Sequence, residues 1–299
     1  MSSKDWLRFW ALGLIWGTSF LWIKIAVADV TPVVLVGWRT LSATLGLAAV
    51  LAFNPAARLS RAELRRSLWI FAILGFSNVA LPFVLISWAE QYLGSGLAAI
   101  LNSTVPLFTI VLAPLFLADD PFTLPRLGGL LVGFAGVVVL LSPDLQSGGQ
   151  SLAAPGAMLL AAAAYAASGV FARRKARHLP PQSQAFLQTA MAALYVWLLI
   201  LFTQPATIWP AKPITWLALL WLGLLGSCLA YLLQFVLLHS VGPTRTSLVT
   251  YVLPMVAVVL GVVFLNERLY WQALVGGALI LSGIAVVNLN WKRLTRGAS

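Results

Sequence analysis

The sequence predicts an all-α integral membrane protein, with ten transmembrane helices arranged as two inverted five-helix repeats. Three observations carry that prediction: an apolar composition, ten long hydrophobic runs, and an internal duplication. Of the 299 residues, 61% are hydrophobic and 9% are charged, where an average soluble domain has roughly 25% charged residues. So few charges cannot cover a water-exposed surface. A net charge of +11 would suggest nucleic acid in a soluble protein. Here the basic residues stand between apolar runs, where they act on topology.

A hydrocarbon core of roughly 30 Å needs about 20 apolar helical residues. Runs of that kind cover 8–28, 33–53, 68–89, 95–117, 125–141, 153–172, 183–203, 214–238, 244–265 and 270–290. An open sheet cannot satisfy its edges in lipid, and a barrel would show alternating segments of about 10 residues, so the runs read as helices. Lys4 and Arg8 before an apolar stretch, with Ala26-Val27-Ala28 after it, imitate a signal peptide. The run is long for one, contains Lys24 and has a counterpart later in the chain, so it counts as the first span. With the N-terminus inside, fifteen of the 19 basic residues fall in cytoplasmic segments. Only Lys212 and Arg268 fall outside, while Lys24 and Arg39 lie within spans. That asymmetry predicts both termini in the cytoplasm.

The duplication appears when the chain is laid on itself. At an offset of 148, Gly75 falls on Gly223, Gly94 on Gly242, Pro106 on Pro254, Asp119 on Glu267 and Gly128-Gly129 on Gly276-Gly277. At 149, Trp16 falls on Tyr165, Ser19 on Ser168, Pro32 on Pro181 and Arg39 on Gln188. The halves are expected at 1–147 and 148–299. Five spans in each is an odd number, so the second half enters the membrane from the opposite side, as in many alternating-access carriers.

The segment from Ala89 to Phe108, the helix after it and the acidic pair Asp119-Asp120 resemble the third-to-fourth helix region of EamA-type carriers in the drug/metabolite transporter superfamily. Pro254 through Phe264-Leu265-Asn266-Glu267-Arg268 resembles the second copy, and Trp16-Gly17-Thr18-Ser19-Phe20 and Trp38-Arg39 also fit. The first copy departs from the pattern in carrying Asp-Asp where Glu-Arg is usual. The resemblance implies an inner-membrane carrier with a cavity enclosed by helices 1–4 and 6–9, helices 5 and 10 serving as scaffold. Within the family the chain looks most like bacterial amino-acid exporters, including those for aromatic amino acids. Gly128, Gly129, Gly133, Gly136, Gly276, Gly277 and Gly283 fit close packing of the scaffold pair.

Pro106 and Pro254 stand inside two spans, and kinked helices at matching places in two repeats point to a binding site. Around them, Trp16, Ser19, Asn78, Asn102, Tyr165, Ser168, Gln188, Tyr231, Gln234 and Thr250 are polar or amphipathic groups at intermediate depth. Such groups should face a cavity or a neighbouring helix. With Arg39 they form the expected substrate-binding set, suited to a zwitterion with an apolar side chain. Counting inward from the outer ends puts Lys24 about 6 Å and Arg39 about 9 Å deep. Glu90 ends the third span on the same side, so an ion pair joining it to Arg39 or Lys24 is expected, binding a substrate carboxylate or closing the outer gate. Glu90 is also the candidate for protonation, while the other acidic residues lie at span ends or in loops, which favours gradient-driven movement.

The expected function is export of amino acids or related small metabolites by a secondary transporter in the inner membrane. A multidrug or toxic-compound exporter is the alternative. An intramembrane enzyme would need clustered nucleophiles, bases or metal ligands, and His178, His239 and Cys228 are scattered. No cofactor or metal is expected. The expected partners are a small-molecule substrate and membrane lipids, with no nucleic acid, and the expected assembly is a monomer.

Overall fold

Lipid offers no hydrogen bonds to a backbone, so an apolar chain crossing it must satisfy each carbonyl within its own helix. A computed structural model describes residues 2–117, 124–146, 152–203, 208–241, 246 and 248–288, and these are helical apart from short connections. The principal helices are α1 (Ser3–Ala26), α2 (Pro32–Phe53), α3 (Arg61–Ala89), α4 (Ser95–Phe116), α5 (Leu124–Gln146), α6 (Ala153–Lys175) and α7 (Pro181–Thr203). After these, α8 runs from Pro213 to Val241, α9 is Val249–Leu265 and α10 is Trp271–Asn288. Among the described residues, seven helices are long and apolar enough to cross a membrane, and three apolar stretches, Leu127–Ser142, Val249–Leu265 and Trp271–Val286, are shorter. The protein is a multi-pass helical membrane protein.

Polar caps set several helix starts. Ser2 and Asp5 form a reciprocal capping box on α1, and Ser60 and Glu63 do the same for α3. The second box starts α3 at Arg61, ahead of the apolar run expected from 68. It adds an amphipathic first turn that hydropathy alone does not register. Thr31 caps α2, whose first residue is Pro32. At the other end of α2, the released carbonyls of Leu51 and Ala52 each accept a guanidinium N–H of Arg58 at 2.7 Å. The Asp119-Asp120 motif and the Gly242 half of the Gly94 match lie outside the described residues.

Three helices are not regular. α3 contains a π-helical stretch, Gly75–Ala80, followed at once by Pro82. α8 contains a longer one, Trp221–Leu229. α4 is interrupted at Ser103-Thr104, with Pro106 at the second position of the segment Val105–Phe116. Pro254, expected to kink α9 in the same way, lies inside the continuous helix Val249–Leu265.

The helices pair in a definite pattern. α5 packs along α10, α2 along α7, and α4 against α9. α1 lies on α9 and α8, while α6 lies on α4 and α3. The π-helical part of α3 meets α7, and that of α8 meets α2. Small residues permit these approaches. A Cβ on Gly75 would lie 2.9 Å from the Gln188 carbonyl in α7, and one on Gly223 would lie 2.8 Å from the Arg39 carbonyl in α2. A Cβ on Gly136 or on Gly276 would lie 2.7 Å from the other's carbonyl across the α5–α10 contact. Gly128, expected to share in that contact, faces open space.

Gly17 is the sharpest local test of this packing. A methyl there would lie 2.5 Å from Val256 Cβ and 3.2 Å from the Leu253 carbonyl on α9, whereas one on Gly169 meets nothing within 4 Å. Gly17→Ala should therefore cost about 1–3 kcal/mol by overpacking, and Gly169→Ala should be neutral or slightly stabilising, by at most about 1 kcal/mol. Melting curves of the two purified variants in detergent check the contrast.

Candidate functional site

Side chains from α1, α2, α3, α4, α6, α8 and α9 enclose one cavity of about 300 Å³, at the lower end of the roughly 300–1,000 Å³ usual for small-molecule sites. Trp16, Ser19, Arg39, Asn78, Asn102, Tyr165, Tyr231, Gln234 and Thr250 line it, as does Pro106. The remaining two of the expected set stand behind the wall. Gln188 accepts the Asn78 amide N–H through Oε1 at 2.9 Å, and the Ser168 hydroxyl donates to Ser77 Oγ at 2.8 Å.

The irregular helices place the polar groups. In an α-helix each carbonyl accepts from the residue four positions on, and a π-helical stretch shifts that register. In α8, Ser227 Oγ donates to the Leu222 carbonyl at 3.0 Å and accepts from Arg39 Nε at 3.1 Å. The adjacent Gly226 carbonyl accepts the indole N–H of Trp16 at 3.1 Å. One turn of π-helix thus anchors both the cationic and the largest aromatic residue of the cavity. Arg39 is only 6% exposed, and its guanidinium carbon stands 3.8 Å from the centre of the Phe83 ring, a cation–π contact. A side chain at Gly226 would crowd Ser19 Oγ, which lies 3.2 Å from the place of a Cβ.

Asn102, at the end of the first segment of α4, has its Oδ1 enclosed without a hydrogen-bond partner. Ser103, beside Asn102, also lines the cavity, as do Phe20, Ile23, Phe83, Ile86, Val105, Gly226 and Leu253, which escaped the sequence reading. Most are ordinary apolar residues with no signal before the helices are oriented. Ser227 could have been found, since it is a hydroxyl inside a long apolar run and falls on Asn78 at the offset of 149.

The expected ion pair is not formed. Among the described residues the only salt bridge joins Arg8 to Asp5, at 3.3 Å. The Lys24 ammonium donates instead to the backbone carbonyls of Glu90 and Leu93, at 2.6 and 2.8 Å, where α3 has ended and its last carbonyls lack helical partners. The Glu90 carboxylate is fully buried and has no hydrogen-bond partner. Depth along a helix put these three residues at one level, but not on facing sides. Near them Asn266 takes a left-handed conformation, φ 53°, that ends α9. It turns Glu267 onto the start of α4, where its carboxylate accepts the Ser95 and Gly96 N–H groups at 2.7 and 3.3 Å, a favourable place for negative charge. No three His, Cys, Asp or Glu side chains among the described residues cluster as a metal site requires.

A multi-pass helical chain that closes a polar and aromatic cavity inside its bundle has the build of a membrane transporter. The chain belongs to the EamA-like transporter family, whose model matches it twice, over residues 7–142 and 153–289. It is 26% identical to "Uncharacterized transporter YvbV" of Bacillus subtilis (strain 168), over 94% of this chain and 90% of that one. It is 28% identical to "Uncharacterized inner membrane transporter YedA" of Escherichia coli (strain K12), over 92% and 88%. It is also 26% identical to a "Probable amino-acid metabolite efflux pump" of Salmonella typhimurium, over 96% and 95%. A solved structure described only as "Crystal structure of protein" shares the fold, with a TM-score of 0.66 at 24% identity, over 96% of this chain and 98% of that one.

Replacing Lys24 with Met removes two charge-assisted bonds that tie α1 to the end of α3. The expected loss is about 1.5–3 kcal/mol, seen as a lower melting temperature, with Lys24→Arg retaining most of the stability.

Proposed function

We propose that the protein is a secondary transporter of the inner membrane that exports amino acids or related small metabolites by alternating access through the central cavity. The observation that carries this reading is the cavity itself, whose wall is shared between the two parts of the chain that the family model matches. Aromatic faces from Trp16, Phe20, Tyr165 and Tyr231, beside the amides of Asn78, Asn102 and Gln234, suit a small amphipathic solute. The printed name of the Salmonella relative supports amino-acid metabolites as the class.

The helix pairings support two inverted repeats, 1–147 and 148–299, of five spans each. Exchanging α1–α5 with α6–α10 turns the α1–α9 contact into α6–α4, α3–α6 into α8–α1, and α3–α7 into α8–α2, and each of these contacts exists. The π-helical stretches of α3 and α8 correspond in the same exchange. Two such halves rocking against each other would open the cavity to either face, with both termini in the cytoplasm on the charge asymmetry.

Counterflow in proteoliposomes tests the reading. Labelled amino acid outside vesicles loaded with the same unlabelled solute should accumulate transiently and saturably, and Trp16→Phe should slow it several-fold at unchanged protein level. Flux that neither saturates nor exchanges would indicate a pore instead.

A further inference from the structure

Two polar contacts, Asn78–Gln188 and Arg39–Ser227, occupy corresponding places in the two halves, and they differ in one respect. On one side Gln188 of α7 binds Asn78 in the π-helical part of α3. On the other Arg39 of α2, which falls on Gln188 in the duplication, binds Ser227 in the π-helical part of α8. The amides of the first pair answer each other, and Gln188 stays out of the cavity wall. The guanidinium of the second does not close on itself. Ser227 takes only Nε, Phe83 covers one face, and the two Nη groups have no protein acceptor among the described residues.

A guanidinium held at low exposure without a counter-ion is costly in a membrane protein. Arg39 nevertheless lines the cavity, and no Asp or Glu is among the lining residues. Glu90 lies outside that wall with both carboxylate oxygens enclosed. The wall therefore carries one positive charge and no negative one. Two Nη groups side by side match the two oxygens of a planar carboxylate, the geometry in which arginine binds best. Apolar and aromatic surface from Trp16, Phe20, Ile23 and Leu253 makes up much of the rest.

We infer that the cavity selects a carboxylate-bearing solute with an apolar or aromatic body, its carboxylate held bidentately by the Nη groups of Arg39, and that it rejects organic cations. Ser227 and Phe83 are positioning residues, fixing the guanidinium edge toward the cavity. This rests on the carrier reading above and narrows it, setting the chain apart from a carrier of cationic drugs.

The test uses three probes that share one ring and differ in charge: 3-phenylpropionate, L-phenylalanine and phenethylamine. Binding to the full-length protein in detergent is read by calorimetry, and movement by counterflow in proteoliposomes. The two carboxylates should bind and exchange, and phenethylamine should bind at least about tenfold more weakly, as expected when a charged hydrogen-bonding partner is lost. Arg39→Gln should weaken both carboxylates at least about tenfold and leave phenethylamine unchanged, while Arg39→Lys should restore part of the loss. A melting temperature near that of the wild type shows that Arg39→Gln is folded; if it is not, Ser227→Ala takes its place, with a several-fold loss for the carboxylates alone. Phenethylamine moving as well as the carboxylates, or carboxylate binding indifferent to Arg39 and Ser227, overturns the inference and leaves the carrier reading standing. Wild-type protein that moves none of the three probes overturns the inference as well, and if a wider panel of metabolites is also not moved, the carrier reading falls with it.

Discussion

Within the hydrocarbon of a bilayer no water is available to a backbone carbonyl, and a helix that departs from regular geometry must find another donor for each carbonyl it releases. In this protein those departures and the cavity coincide. Along the π-helical stretch of α8 the Gly226 carbonyl accepts the Trp16 indole N–H, and the Leu222 carbonyl accepts the Ser227 hydroxyl. Arg39 is then held through Ser227. Irregular backbone is tolerated at membrane depth where it is buried in protein or lines a cavity, and here it does both.

The same constraint governs the adjoining ends of α3 and α4. The carbonyls of Glu90 and Leu93, close to the end of α3, draw in the Lys24 ammonium, and the free N–H groups that open α4 draw in the Glu267 carboxylate. Lys24 and Glu267 are thus engaged by helix termini rather than by an opposite charge. These contacts join α1 to the end of α3 and the end of α9 to the start of α4. The Glu90 carboxylate, buried without a partner, stays outside the cavity wall, so Arg39 gives the cavity its positive character.

Much of this was legible in the sequence because polar residues are scarce in it. Where 9% of residues are charged, a residue such as Arg39 or Asn102 within an apolar run has few reasons to be there, and most of the residues selected on that ground line the cavity. Two of the matched glycines were legible as close approaches: Gly75 and Gly223 stand where the π-helical parts of α3 and α8 cross α7 and α2. Azimuth was not. Lys24, Arg39 and Glu90 share a depth, but whether two side chains at one depth face each other depends on helix rotation, which π-helical turns alter. The two matched prolines also sit in different settings. A proline removes one donor, and whether its helix is interrupted depends on neighbouring segments: α4 breaks at Ser103-Thr104, while α9 continues.

The central claim is that Ser227, whose hydroxyl donates to the Leu222 carbonyl, holds the Arg39 guanidinium in place. A double-mutant cycle on thermal stability, combining Arg39→Met with Ser227→Ala, measures that link directly. If the two side chains act as one unit, the cycle should show a coupling energy of about 1–3 kcal/mol, the range for a buried hydrogen bond to a charged group or for residues in one network. Two losses that simply add, with coupling within about 0.3 kcal/mol of zero, would show that Arg39 is held by something else and would contradict the account.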